Sequence, residues 1–440
     1  MFIGLEKIAL FNEYFKFNIW IGIINAALII HFFYNWYLSY KKTGFKIDCW
    51  NFYIFSMIIL PSLLLYYVLA SPYQATSLLS NENYLKVAKY TDLAWAISIA
   101  GYISMYLGKE ILYREFFSNK RGFISNNIYD NIADEKINII NIILVAGILL
   151  GFIVFQIEFD CFFKLRDYFN IHTSIRPIYN ILSSVAEIAL IYIGINCIQY
   201  YSKNKFYIFI FLMFLSIFQG TRFFIINILS IILVFYSIKN KANIKVGSIV
   251  CIGIGIVVFL FVSVSLRDKG EIEYSTFKYM INSILYGSTF SDIRDFAWVL
   301  SNNDDKLLGG KSYLASLLSF IPSSISNYRQ EYAFGAYTVK VCNIPFETHG
   351  GLRCGLFGEA YFNFGVVGVI IFGIIAGYFL SKSDCYAKYF IDKKNDIIIG
   401  FVSFVPMFLF FRLAAGLWFI YIFIIYNFGL YKLRKIIKGR

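Results

Sequence analysis

Long apolar runs, separated by short clusters of lysine and turn-forming residues, set the pattern of this chain. The run INIINIILVAGILLGFIVFQI, residues 137–157, never alternates polar with apolar positions, so it does not read as a barrel strand. Backbone that crosses lipid must satisfy its own N–H and C=O groups, which leaves helices once barrel strands are set aside. Apolar runs of about 17–25 residues match the hydrocarbon core of a bilayer. The pattern predicts an all-α, polytopic membrane protein of about eleven spans, within a range of about ten to twelve. They are expected at 19–40, 51–71, 92–112, 137–157, 177–200, 206–220, 222–238, 246–265, 355–380, 397–413 and 415–431.

One stretch breaks the rhythm. Residues 266–354 form a loop too long and too apolar to be a linker. Short helices packed over the external face are expected there. The whole chain, 1–440, reads as a single integral membrane domain, and no internal repeat is evident.

Composition agrees. Only 15% of the 440 residues are charged, while 59% are hydrophobic and 20% aromatic. A soluble domain carries about 25% charged residues. The net charge of +13 would suit nucleic acid, but the basic residues gather in Lys41/Lys42, Lys120/Arg121, Lys203/Lys205, Lys239/Lys241, Lys393/Lys394 and the tail KLRKIIKGR. All of these fall on one side of the predicted bundle, as cytoplasmic loops require. No nucleic-acid partner is therefore expected. The C-terminus is placed in the cytoplasm and the long loop in the periplasm. An odd number of spans puts the N-terminus outside, and residues 1–18 are alternatively an interfacial helix. MFIGLEKIALFNEYFKFN lacks the basic start, clean apolar core and small-residue cleavage site of a cleavable signal peptide. Seven cysteines form no CxxC and no Cys/His cluster, so neither a metal site nor a cofactor is expected. A disulfide between Cys342 and Cys354 remains open.

Candidate chemistry lies at the external ends of the spans. In FQGTRFF, Gly220–Arg222 splits the apolar stretch 206–238. Arg222 is either an interfacial arginine snorkelling to headgroups or a fixed cation over an external cavity, where a guanidinium grips phosphate in a bidentate fork. Arg267, in VSLRDKG, is either an anchor paired with Asp268 or a second such cation. Arg294, Lys311, Arg329, Lys340 and Arg353 add basic groups along the loop. The segment FETHGGLRCGLFGEAYFNFG, residues 346–365, joins His349, Arg353 and Glu359. With a helix starting near Gly355, Glu359 lies about one turn into a span, where a charge needs a partner or a chemical purpose. His349, followed by two glycines that permit close backbone approach, can take a proton from a sugar hydroxyl near neutral pH. It reads alternatively as a helix-start residue. His31 reads as a core residue, and His172 lies in a short external loop. Glu187 and Arg412 are intramembrane charges that either pair within the bundle or function there. Asn302–Asp305 (NNDD) reads as a solvated turn, not as a DxD metal clamp.

These features resemble the Wzy-type family of oligosaccharide repeat-unit polymerases. GTR opening a span, one long external loop and THGGLRCGLFGEAYFNFGVVGVIIFG, residues 348–373, carry the resemblance. It covers most of the chain as architecture and two short stretches as residues. It implies a fold similar to that of metal-independent, membrane-embedded glycosyltransferases. It implies an activity that moves a growing chain from undecaprenyl pyrophosphate onto the next lipid-linked repeat unit, yielding O-antigen or capsular polysaccharide at the periplasmic face of the bacterial inner membrane. Carried onto this chain, pyrophosphate binding falls on Arg222 and Arg267, and acceptor activation on His349. The residues themselves add Arg353 as a group for phosphate or sugar, Glu359 as an alternative base or an orienting group, and Arg294 and Arg329 as further contacts. The family also makes a chain-length regulator protein a partner to look for. An O-antigen ligase shares the architecture, and a flippase for lipid-linked repeats shares the size. The GGL…GEAYFNFG stretch favours the polymerase, and a flippase should show two-fold repetition.

Overall fold

The structure is a computed structural model. It describes residues 18–43, 49–55, 58–59, 81–118, 135–162, 164–172, 175–199, 203–219, 228–229, 231–232, 236, 292–303, 306–322, 325–344, 351–392 and 417–437. Every regular element among them is helical: α1 Ile19–Thr43, α2 Cys49–Ile54, α3 Asn81–Ser118, α4 Glu135–Glu158, α5 Leu165–Ile171, α6 Arg176–Gln199, α7 Lys203–Leu215, α8 Asp292–Asn302, α9 Lys311–Leu317, α10 Asn327–Tyr332, α11 Phe334–Val341, α12 Gly355–Asp392 and α13 Trp418–Ile437. Short 3-10 turns extend α7 over Ser216–Gln219 and α9 over Leu318–Phe320.

Among the described residues, four helices are long and apolar enough to cross a membrane: Ile19–Leu38, Asn138–Glu158, Arg176–Ile198 and Gly355–Ser383. Trp418–Leu430 is a shorter apolar helix. The expected spans 19–40, 92–112 and 137–157 fall within single helices, 355–380 lies within α12, 177–200 matches α6 to within one residue, and 415–431 overlaps α13. The expected spans 246–265 and 397–413 lie outside the described residues, as does most of 222–238 and of 51–71.

The tightest packing joins α3 to α12. Gly373 and Gly377 form a G-x-x-x-G pair on α12, and Gly101 and Gly108 answer them on α3. A Cβ on Gly377 would lie 2.0 Å from the Met105 carbonyl oxygen, and one on Gly108 would lie 2.1 Å from that of Ile374. At Gly373 the Gly101 carbonyl oxygen would be 2.6 Å away. The two backbones touch because these side chains are missing, which is how helices associate where lipid offers no hydrophobic drive. A second group, α4, α6, α7 and α13, is joined by polar ties. Gln156 donates to the Phe218 carbonyl at 2.7 Å, Tyr179 to that of Gln219 at 2.8 Å, and Tyr426 to Asn141 Oδ1 at 2.8 Å. Glu187 is buried in α6, and Arg412 lies outside the described residues.

α12 is two helices meeting at a break. Phe364 (φ −138°, ψ 15°) and Gly365 (φ 64°, ψ −156°) leave helical geometry, and the positive φ is one that glycine adopts without strain. The break frees the carbonyls of Phe362 and Asn363. The loop before α9 fills both: Leu308 N–H donates to Phe362 at 2.8 Å and Gly309 N–H to Asn363 at 3.0 Å. Residues 366–383 alone reach about 27 Å at the helical rise, close to the hydrocarbon thickness. Residues 355–363 therefore form a separate short helix above that segment, roofed by the loop before α9.

One expectation changes, and one open alternative closes. His31 is exposed on α1, where Asn35 Nδ2 sits 2.9 Å from its Nε2 and Tyr106 meets its ring edge-on at 5.3 Å. A helix wholly apolar around its circumference gives no sign of which side faces the bundle, so the core reading of His31 was wrong. Cys342 and Cys354 are buried free thiols, not a disulfide. Burial pushes both thiols up, well away from the reactive thiolate.

Candidate functional site

The described parts of 292–363 build two buried polar groups, one around Asp295 and one around Glu359. α8 begins the first with Asp292, Arg294 and Asp295. Almost the whole circumference of α8 is buried, from Ile293 to Leu300. Phe296 meets the rings of Tyr361 and Phe362 at 5.9 and 5.6 Å, fixing α8 against the first half of α12.

Asp295 ties the first group together. Its Oδ1 accepts from Arg294 Nε at 3.1 Å and from the Arg294 terminal nitrogen at 3.0 Å, and its Oδ2 accepts the Arg353 backbone N–H at 3.2 Å. Both members of the Arg294–Asp295 pair are about 5% exposed, so the Arg294 charge is matched inside the fold. Removing one partner of a buried pair strands the other. Asp295→Ala is expected to cost about 3–5 kcal/mol, read as a lower melting temperature of the purified protein. An Arg294→Leu/Asp295→Leu double variant is expected to recover much of that loss.

The irregular segment leading into α12 crosses α11 closely. Gly351 (φ 145°) leaves room for the Gly335 backbone, whose Cα would be 2.6 Å from an added Cβ. Leu352 N–H donates to Thr338 Oγ1 at 2.9 Å, and that hydroxyl donates to the Gly335 carbonyl at 2.8 Å. The close approach expected of the paired glycines after His349 is found at Gly351. This crossing delivers Arg353, whose side chain is exposed, to the Asp295 group. Asp292 stands beside the start of α12, its Cβ 3.5 Å from where a Gly355 Cβ would be. Burial pushes the Asp292 carboxyl up to about 6. Arg353 pulls it down, Asp295 pushes it up, and Arg294 pulls it down.

A raised acid pKa means that the folded state holds its proton over a range where the unfolded chain, near 3.9, has released it. The Asp292 contribution to stability is therefore present below about pH 4 and lost as pH rises through about 6. Asp292→Asn is expected to gain thermal stability relative to the parent as pH rises across that window and to level off above it. A difference that stays flat across the window in a melting series would count against the shift.

Beyond Asp292 lies Glu359, 4% exposed, on the short first helix of α12. Its Oε1 accepts from Ser312 Oγ at 2.7 Å. Asn363, one turn on, donates through Nδ2 to Ser312 Oγ and to the Glu359 carbonyl, both at 2.7 Å, and accepts the Gly310 N–H at 3.0 Å. Asn363 thus fixes the loop before α9 on α12, and the loop brings Ser312 to the carboxylate. Among the described residues, Ser312 is the only side-chain hydrogen-bond partner of Glu359, and no basic group forms an ion pair with it. Burial keeps the nearby Tyr313 phenol protonated, pushing it up, and the Glu359 charge adds to this.

The structure joins Arg294 and the Arg353 backbone through Asp295, places Glu359 in a separate group with Ser312 and Asn363, and sets Arg329 apart. Arg329 sits on α10 and donates through a terminal nitrogen to the Ile321 carbonyl. Its Nε has no partner among the described residues, and burial lowers its pKa. Arg222, Arg267 and His349 lie outside the described residues. His172 is exposed and stacks on Tyr168 at 4.1 Å, donating through Nδ1 to the Tyr168 carbonyl. Sequence reasoning missed Asp292, Asp295, Ser312 and Asn363. The i, i+3 spacing in DIRD and the i, i+4 spacing of Glu359 and Asn363 were signals for three of them. Nothing in sequence pointed to Ser312, 47 positions from Glu359. Among the described residues no cluster could hold a metal ion. No protein-family model, curated protein or solved structure matches the chain.

Proposed function

We propose that this chain is a glycosyltransferase of the Wzy type. In this reading it joins undecaprenyl-pyrophosphate-linked oligosaccharide repeat units at the periplasmic face of the bacterial inner membrane, using about eleven spans and the loop 266–354. The observation that carries the reading is the Glu359 carboxylate. It is buried, held by one hydroxyl, unpaired with any cation among the described residues, and set in the first turns of an apolar helix. Burying such a group is costly, so its presence in an apolar helix supports a chemical purpose. It sits in the stretch GGLRCGLFGEAYFNFG, where the resemblance to the family is most specific.

The reaction forms a bond between an acceptor sugar hydroxyl and the anomeric carbon of the growing chain. It breaks the bond from that carbon to undecaprenyl pyrophosphate, which leaves with the electron pair. The hydroxyl proton goes to Glu359 Oε2 or to His349. Arg222, Arg267 and Arg353 meet the charge on the leaving pyrophosphate, and fixed guanidiniums in a sheltered site do this at little reorganisation cost. The Arg294 charge, already matched by Asp295, holds the platform on which Arg353 stands.

The test is the surface-carbohydrate ladder of a strain lacking this chain, complemented by wild type or by Arg222→Ala. The expected result without the chain is lipid A core carrying single repeat units, with the ladder restored only by wild type. Finished polymer retained on its lipid carrier would replace the polymerase by a ligase, and loss of every surface repeat would replace it by a flippase.

A further inference from the structure

The segment from α9 to Ile325 turns its side chains the wrong way round for water. Ser312, Ala315, Ser316 and Ser319 are buried, whereas Leu314, Leu317 and Phe320 are 47%, 49% and 62% exposed. Burying a leucine or phenylalanine side chain is favourable in water, and burying a hydroxyl costs energy unless it is paired. An amphipathic helix in water does the opposite of what this one does. Against lipid the pattern is the favourable one: small residues pack on protein, and large apolar ones meet acyl chains, which are as apolar as leucine.

The face is also continuous with the apolar helices. Leu417 N–H donates to the Ser316 carbonyl at 3.1 Å, and the Tyr421 hydroxyl donates to that of Leu317 at 2.6 Å. Phe320 meets the Tyr421 ring edge-on at 5.6 Å, which joins the segment to the start of α13. On its other side Tyr313 stacks on Phe364 at 6.1 Å, at the break in α12. Val366 and Val367, which begin the long apolar half of α12, are exposed there too.

We infer that α9 and its 3-10 extension lie within the membrane, at the depth where α12 breaks, with Leu314, Leu317 and Phe320 among the lipid acyl chains. The occupant of this face is the bilayer. Lys311, at the start of the helix with its Nζ 4.7 Å from the Tyr332 ring, suits the headgroup layer. Ser312, on the buried side of the same helix, contacts Glu359. The Ser312–Glu359 hydrogen bond therefore lies close to headgroup depth. The placement of α9 does not rest on the polymerase chemistry, and its test contains no activity assay.

The full-length protein is placed in nanodiscs with a fluorescent amino acid introduced by codon suppression at 314, 317, 320 or, as a control, 330. Gln330 is exposed on α10 and carries no apolar face. Phosphatidylcholine with a doxyl group high on the acyl chain is expected to quench the labels at 314, 317 and 320 several-fold more than the label at 330. Aqueous iodide is expected to show the reverse order. Labels at 314, 317 and 320 that iodide reaches and doxyl lipid does not would overturn the inference. So would labels shielded from both, since protein would then cover the face. Three independent positions keep the test decisive when one label prevents folding, which gel filtration of each variant before reconstitution detects.

Discussion

Gly377→Leu is expected to leave almost no folded protein. The Gly377 Cα faces the α3 backbone so closely that even a methyl group would sit 2.0 Å from the Met105 carbonyl oxygen, 2.7 Å from its carbon and 2.9 Å from its Cα. All three atoms are backbone, so no side chain can swing aside. Accommodating leucine means moving α3 away from α12 over several turns, which also opens the contacts at Gly101, Gly108 and Gly373. Overpacking a well-packed interior costs about 1–3 kcal/mol where neighbours can shift. Here they cannot, so a larger loss is expected, enough to remove a marginally stable fold. The readout is the monodisperse fraction on gel filtration after mild extraction. Gly429→Leu serves as the control, because open space surrounds that position, and it should leave the fraction unchanged. An unchanged Gly377→Leu profile would mean that α3 and α12 do not cross here.

That crossing marks the limit of what the sequence made legible. Apolar periodicity located α1, α3, α4, α6, α12 and α13, because each must hide its backbone from lipid along its length. It did not pair them, since a helix that is apolar all round presents no preferred face. The G-x-x-x-G at Gly373–Gly377 was the available pairing signal, and its partners on α3 have no such regular spacing. The break at Gly365 escaped notice because one glycine within an apolar run looks like any other. Its consequence depends on Leu308 and Gly309, more than fifty positions earlier, supplying the two N–H groups that make the break stable.

The candidate site was half legible for the same reason. Glu359 stood out as a lone carboxylate at the head of an apolar run, and Arg353 stood out by proximity. Asp295 carried no signal of its own within the long loop, yet it is buried between Arg294 and the Arg353 backbone. A residue whose partners come from a distant segment cannot be recognised by local pattern. The inverted order of serine and leucine in KSYLASLLSF was readable, but only once the structure showed which positions point inward.

Glu359→Gln is expected to abolish polymer while leaving the protein folded. Glutamine keeps the length and volume of the side chain, and its amide oxygen can still accept the Ser312 hydroxyl that now sits 2.7 Å from Oε1. Asn363 continues to hold the loop before α9 through Gly310 N–H and the Glu359 carbonyl. What the change removes is the capacity to take a proton, worth about 10²–10⁴-fold in a general-base step. Ladder formation should fall by that order, with melting temperature close to wild type. Ser312→Ala separates orientation from chemistry: it leaves the carboxylate basic but loosely aimed, so a smaller drop is expected. His349→Ala, run beside both, decides between the two candidate bases. Loss in His349→Ala with a wild-type ladder in Glu359→Gln would move the proton to the imidazole and leave Glu359 as an acceptor for a sugar hydroxyl. Wild-type ladders in both would remove the segment 346–365 from the reaction altogether.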